Sequence, residues 1–111
     1  MKLPNSHNAI IETTKIEAYC LNEDHPVGKH KAKVFNSALG ITSNDTAWLI
    51  DQILEKLPEC EAQKWHEDEF GIRYQVDMMI ENGIKKALIS TIWLYSSHDL
   101  NLRLITCYVK K

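Results

Sequence analysis

Cysteine, glycine, proline and phenylalanine are all scarce in this 111-residue chain, which has three, four, three and two of them. Cys20, Cys60 and Cys107 are odd in number and widely spaced. They make neither a disulfide framework nor a C-x-x-C zinc pattern, and they read as reduced core thiols. Gly28 stands alone, so no glycine-rich loop cradles a phosphate, and no Gly-x-Ser-x-Gly elbow supports serine hydrolase chemistry. Long apolar runs are missing too. The longest uncharged one, Ala87 to Tyr95, falls far short of the roughly 20 residues that cross a bilayer. The N-terminus has no charged segment leading into an apolar run and a cleavage site. A cytoplasmic protein with no membrane partner is therefore expected.

Nor is there a large excess of charge. A net charge of −2 argues against a protein that coats nucleic acid through its overall field. The charge is distributed unevenly, however. Lys29, Lys31 and Lys33 form the densest basic cluster, whereas Glu55, Glu59, Glu61, Glu67, Asp68 and Glu69 make the middle acidic. The hydrophobic fraction of 44% and charged fraction of 25% are those of an ordinary globular domain, and the length fits one domain, 1–111.

The hydrophobic period is helical first and alternating afterwards. Thr14-Lys15-Ile16-Glu17 fits a capping box and predicts a short helix from Lys15 to Leu21, broken before His25-Pro26. A second helix is expected from Pro26 or Gly28 to Leu39, with Val27, Val34, Phe35, Ala38 and Leu39 inward and Gly40 as its stop. A third follows the N-cap residues Thr42 to Asp45 and ends at Pro58, burying Ile50, Ile53, Leu54 and Leu57 with Trp48 or Leu49. Ile72 to Glu81 then alternates as a strand does. Asn82-Gly83 predicts a type I′ hairpin that sets Ile72, Tyr74, Val76 and Met78 opposite Trp93, Thr91, Ile89 and Ala87. Leu102 to Val109 is a last strand and Cys60 to Glu67 a weaker first one. The expected architecture is α+β, with two to three N-terminal helices on one face of a four-stranded antiparallel sheet, whose open face is the natural place for a site.

His25-Pro26-Val27-Gly28-Lys29-His30-Lys31 holds the densest set of proton carriers and cations. His30, four residues before Val34, is expected at the N-terminal end of the inward face, where the helix dipole and nearby lysines favour a neutral ring able to take a proton. Helix N-terminal N–H groups together with Lys29, Lys31 and Lys33 could hold a phosphate beside it. The bland reading is that His30 caps or packs and that the lysines are a solvated face. His25 reads as a turn residue bonded to backbone. A His25/His30 metal pair lacks further ligands, so neither metal nor cofactor is expected. From the strands, Arg73 and Arg103 suit a phosphate or carboxylate, and Thr91 and Thr106 could donate to a developing oxyanion. Their bland readings are ion pairs and strand shape. Trp93 and Tyr74 read as core.

At His25-Pro26-x-Gly28-x-His30-Lys31-Ala32-x-x-Phe35 and Ala38-Leu39-Gly40, the chain resembles a family of small bacterial domains of unknown function. The resemblance extends over nearly the whole length, through Lys2-Leu3-Pro4-Asn5, Gly71-x-Arg73-Tyr74, Thr91-x-Trp93 and Arg103-Leu104-x-Thr106-x-Tyr108. It implies a small antitoxin-like partner protein or a place as the C-terminal module of a larger toxin-like protein. Helices followed by a four-stranded sheet also look like the barnase, EndoU, colicin and RelE group of ribonuclease toxins, a fold-level analogy. That analogy implies metal-independent cleavage of RNA, with His30 as base or acid, Lys31 and Arg73 or Arg103 stabilising phosphate, and Thr106 or Thr91 positioning it. The acidic balance departs from that group, and no second proton carrier beyond His25 is evident. The rival expectation is a non-catalytic binding or regulatory domain that docks a protein. The oligomeric state is not encoded in readable form.

Overall fold

The computed structural model describes residues 1–110. Helix α1 (Thr13–Lys15) runs on into a π-helical turn, Ile16–Cys20, closed by the amide of Leu21 on the carbonyl of Ile16 at 2.9 Å. Helix α2 spans Lys29–Leu39 and α3 spans Thr46–Lys56, flanked by 3-10 turns at Ser43–Asp45 and Leu57–Glu59. Strands β1 (Gln63–Asp68), β2 (Gly71–Asn82), β3 (Lys85–Ser96) and β4 (Leu102–Val109) form one antiparallel sheet in the order β1-β2-β3-β4. The α+β architecture expected from the sequence is the one observed.

The strand period explains the layers. Tyr74, Val76, Met78 and Ile80 from β2 are buried with Ala87, Ile89 and Trp93 from β3, and with Leu102, Leu104 and Cys107 from β4. Phe35 and Leu39 of α2 and Leu49 and Ile53 of α3 complete the same core. Helix α2 lies against β3 and β4, and α3 against β2. The other sheet face is not fully open, because Ser90 and Ile92 on it are buried as well.

Several local expectations need correction. The capping box does not form at Thr14: α1 starts at Thr13 with Glu12 as its N-cap and no side-chain cap bond. A capping box does form at Thr42, whose hydroxyl accepts from the Asn44 amide and whose amide donates to Asp45. The inward stripe of α2 is Gly28, Ala32, Phe35 and Leu39, while Val27 is 65% exposed. Small Gly28 and Ala32 let the helix approach closely, which leaves Val27 and His30 outside the buried face and Val34 half-buried at its border, while Phe35 and Leu39 are buried as expected.

The β2–β3 pairing is offset by two residues from the expected hairpin, with Tyr74 opposite Trp93, Val76 opposite Thr91 and Asn82 opposite Lys85. Gly83 takes positive φ (64°) and Ile84 does not, so the two-residue turn Gly83-Ile84 is not the expected I′ type, which needs positive φ at both positions. Asn82 is drawn into the strand because its side-chain amide donates to the Leu39 carbonyl at 2.7 Å, tying the hairpin to the end of α2. An offset of two preserves which face each residue occupies, so the core prediction survives the wrong register.

Candidate functional site

Between α1 with its π-helical turn, the loop before α2, and the edge strand β4 lies a cleft of about 620 Å³. Its wall is Thr14, Lys15, Ala18 and Tyr19 on one side, His25 and Lys31 at the α2 end, and Ile105 and Thr106 on β4. Among the described residues no carboxylate lines it. The open sheet face, expected to carry the site, holds instead a polar groove at Gln75, Asp77 and Lys110.

Three local devices build this cleft. The π-helical turn carries five residues where an α turn closes over four, and it presents Tyr19 to the cleft while Ile16 and Cys20 turn inward. The His25-Pro26-Val27-Gly28 loop is folded around the imidazole: His25 Nδ1 accepts from the amides of Val27 (3.0 Å) and Gly28 (2.9 Å). The ring meets Tyr19 edge-on at 4.8 Å between centroids. Gly28 is required there, because a Cβ would lie 2.2 Å from the Tyr19 carbonyl oxygen. On the far wall, a register shift opposite Ile92 and Trp93 inserts Ile105 between the paired residues Leu104 and Thr106, and Ile105 and Thr106 both reach the cleft.

Lys31 is the centre of the charge. Its ammonium donates to Thr106 Oγ1 at 2.9 Å and stands 5.1 Å from the Tyr19 ring and 5.7 Å from the Tyr108 ring. Aromatic faces attract a cation without neutralising it, so the charge stays available to a ligand. Behind Thr106 lie two buried free thiols, with Cys20 Sγ 3.9 Å from the Thr106 hydroxyl. A hydrogen bond from Cys107, with smaller help from Thr106 and Lys31, lowers the Cys20 thiol; its Cys20 partner and burial hold the Cys107 proton well above the ordinary thiol range. Among the described residues no group of three His, Cys, Asp or Glu side chains could hold a metal ion.

Of the six residues singled out from sequence, the structure brings together Lys31 and Thr106. His30 is exposed on the first turn of α2 and does not line the cleft, because it falls outside the buried face of α2 as described above. Thr91 is fully buried, its hydroxyl donating to the Val76 carbonyl and accepting from Trp93 Nε1, both at 2.7 Å. Arg73 donates to Asp68 at 2.9 Å and Arg103 to Asp99 at 2.8 Å, the ion pairs of the bland reading. Arg73 belongs to a separate groove with His66 and the exposed Trp65.

Sequence reasoning missed Thr14, Lys15, Tyr19 and Tyr108. A π-helical turn has no periodic signature that would have pointed Tyr19 outward, and strand alternation fails at a bulge. Among the described residues no helix is long and apolar enough to cross a membrane.

No curated protein matches the chain by sequence. Among solved structures, a chain of a contact-dependent growth inhibition toxin–immunity protein complex from Klebsiella pneumoniae 342 has a similar fold, with a TM-score of 0.69 at 15% identity over 97% of this chain and 99% of that one. At that identity the similarity concerns the fold. The sequence of residues 2–111 matches a family described as a domain of unknown function, and the chain belongs to that family, DUF6883.

Proposed function

We propose that this is a toxin-like, metal-independent endoribonuclease that binds the RNA backbone in the cleft around Lys31. One observation carries the reading: among the described residues every polar side chain lining the cleft can donate a hydrogen bond, two of them are lysines, and none is a carboxylate. A phosphodiester suits such a wall, whereas a cationic or neutral ligand would leave Lys31 and Lys15 uncompensated. The fold shared with a chain of a toxin–immunity complex supports the same direction.

In the reaction the ribose 2′-oxygen loses its proton and bonds to phosphorus, and the bond from phosphorus to the 5′-oxygen breaks as that oxygen gains a proton. Lys31, with Thr106 and Lys15, faces the non-bridging oxygens, where negative charge builds up. Arg73 and Arg103, each tied to an aspartate, are less free for that role. His30, exposed on the first turn of α2 and with no side-chain hydrogen bond among the described residues, is assigned to proton transfer from outside the residues that line the cleft. A small antitoxin-like protein that covers the cleft is the partner this reading requires.

A second reading, a non-catalytic domain that docks a protein, is favoured by Trp65 and Phe70, which are 63% and 52% exposed at the β1 end of the sheet. Tryptophan and arginine are the residues that anchor protein interfaces, and Arg73 adjoins Trp65.

The readings separate on expression in bacteria without a partner. The nuclease arrests growth and cleaves RNA, whereas Lys31→Met and His30→Ala variants with unchanged melting temperatures do neither. Purified wild-type protein that leaves cellular RNA intact would sink the nuclease reading.

A further inference from the structure

We infer that His25 serves the cleft as a fixed, uncharged hydrogen-bond donor to a phosphate oxygen and is not its proton carrier. The inference deepens the proposed phosphodiester site and rests on it for the ligand class. Both backbone amides that His25 Nδ1 accepts from, Val27 and Gly28, belong to the loop that positions α2. A ring nitrogen that accepts two hydrogen bonds carries no hydrogen, so in the neutral ring Nε2 bears the N–H. Nε2 has no hydrogen-bond partner among the described residues, and the ring lines the cleft.

To take up a proton the ring would need one on Nδ1, which would turn that acceptor into a donor facing two other donors and undo the loop. The same geometry leaves no lone pair on Nε2 for a substrate hydroxyl. What remains is an N–H donor, held edge-on by Tyr19, in a cleft that Lys31 makes cationic. The ligand is an anionic oxygen of phosphate chemistry.

Two substitutions divide the roles of the ring. Asn at this position can place its amide oxygen where Nδ1 accepts but has no donor at the Nε2 position. Gln can place a donor there but loses the turn. Inorganic phosphate and the deoxydinucleotide dTpT, which has no 2′-hydroxyl to react, serve as probes.

Nitrogen-15 spectra of wild-type imidazoles should show His25 as the Nε2–H tautomer with and without phosphate, with that N–H shifting on titration. The His25→Asn variant should melt near the wild type and bind phosphate about tenfold more weakly. The His25→Gln variant should melt lower yet bind more tightly than His25→Asn. An Nδ1–H or doubly protonated ring in the phosphate complex, or phosphate affinity equal in His25→Asn and wild type, overturns the inference. So does a wild-type protein that does not bind phosphate. If His25→Asn does not fold, the wild-type titration decides: an unmoved Nε2–H refutes the inference. RNA cleavage is scored separately. Binding through His25 without cleavage removes the nuclease reading alone; cleavage with an unmoved His25 removes this inference alone.

Discussion

Thr91 and Thr106 show how one residue type meets opposite fates on neighbouring strands. The Thr91 hydroxyl is sealed in the core between the Val76 carbonyl and the Trp93 indole. Thr91→Val leaves the buried Trp93 N–H without a partner and should cost about 1–3 kcal/mol in urea unfolding, whereas Thr91→Ser keeps the hydroxyl and most of the stability. Thr106, on the edge strand, spends its hydroxyl on Lys31 and a cysteine sulfur. Its loss should weaken dTpT binding with little change in melting. Both threonines stood out in the sequence for the same chemical reason; only the sheet position, centre or bulged edge, separates them. Asp99 carries a pH signature. The Arg103 guanidinium and the Asn101 amide hold its carboxyl down at about 2, below the ordinary 3.8. A carboxyl lowered by folding favours the fold above its ordinary value and ceases to as pH falls toward 2. Asp99→Asn should therefore flatten the acid limb of stability against pH, read from urea midpoints between about pH 2 and pH 5.

Among the elements, two glycines allow a comparison of steric and conformational cost. Gly83 sits at φ 64° in the β2–β3 turn, with no atom within 4 Å of an added Cβ. Gly83→Ala thus pays only for the positive-φ backbone, about 1–3 kcal/mol. Gly28 has ordinary helical angles, φ −75° and ψ −14°, but a Cβ there strikes the backbone of the π-helical turn. Gly28→Ala should cost about 1–3 kcal/mol by crowding and also abolish phosphate binding, since the loop and Tyr19 must move apart. Paired melting curves and titrations distinguish the two. The elements themselves were largely legible: the 3.6-residue and two-residue periods placed α2, α3, β2, β3 and β4 within a few residues. Strand β1, exposed at every position, offered no alternation, so it was placed only as the weaker candidate Cys60 to Glu67, which overlaps the observed Gln63–Asp68. The face of α2 was read correctly at Phe35 and Leu39 and misread at its start, because Val27 is larger than the Gly28 and Ala32 that actually make the close approach. That misreading is why His30 was favoured over His25.

At the scale of the whole molecule, the two ends of the chain meet at the sheet margin. Ile10 donates to the Leu102 carbonyl at 2.8 Å and accepts from the Leu104 amide at 3.0 Å, covering part of the β4 edge beside the cleft. Ile10→Pro removes that donor, and the Leu104 amide should then exchange with deuterium at least tenfold faster. Such a pairing across 92 positions has no local sequence signal, and neither does the convergence of Tyr19, Lys31 and Thr106. Fold class was readable from periodicity because it is repeated in every element. The cleft was readable only in part because it depends on single exceptions to periodicity, a π-helical turn and a bulge. The place of Thr106 on the fourth strand also fixes an order of events. A ribosome that has translated both lysines and the tyrosine has still to make Thr106, and the wall that faces them does not exist until β4 has left the exit tunnel. On the proposed reading, a chain that cleaves RNA is in this way harmless to the machine making it until β4 docks.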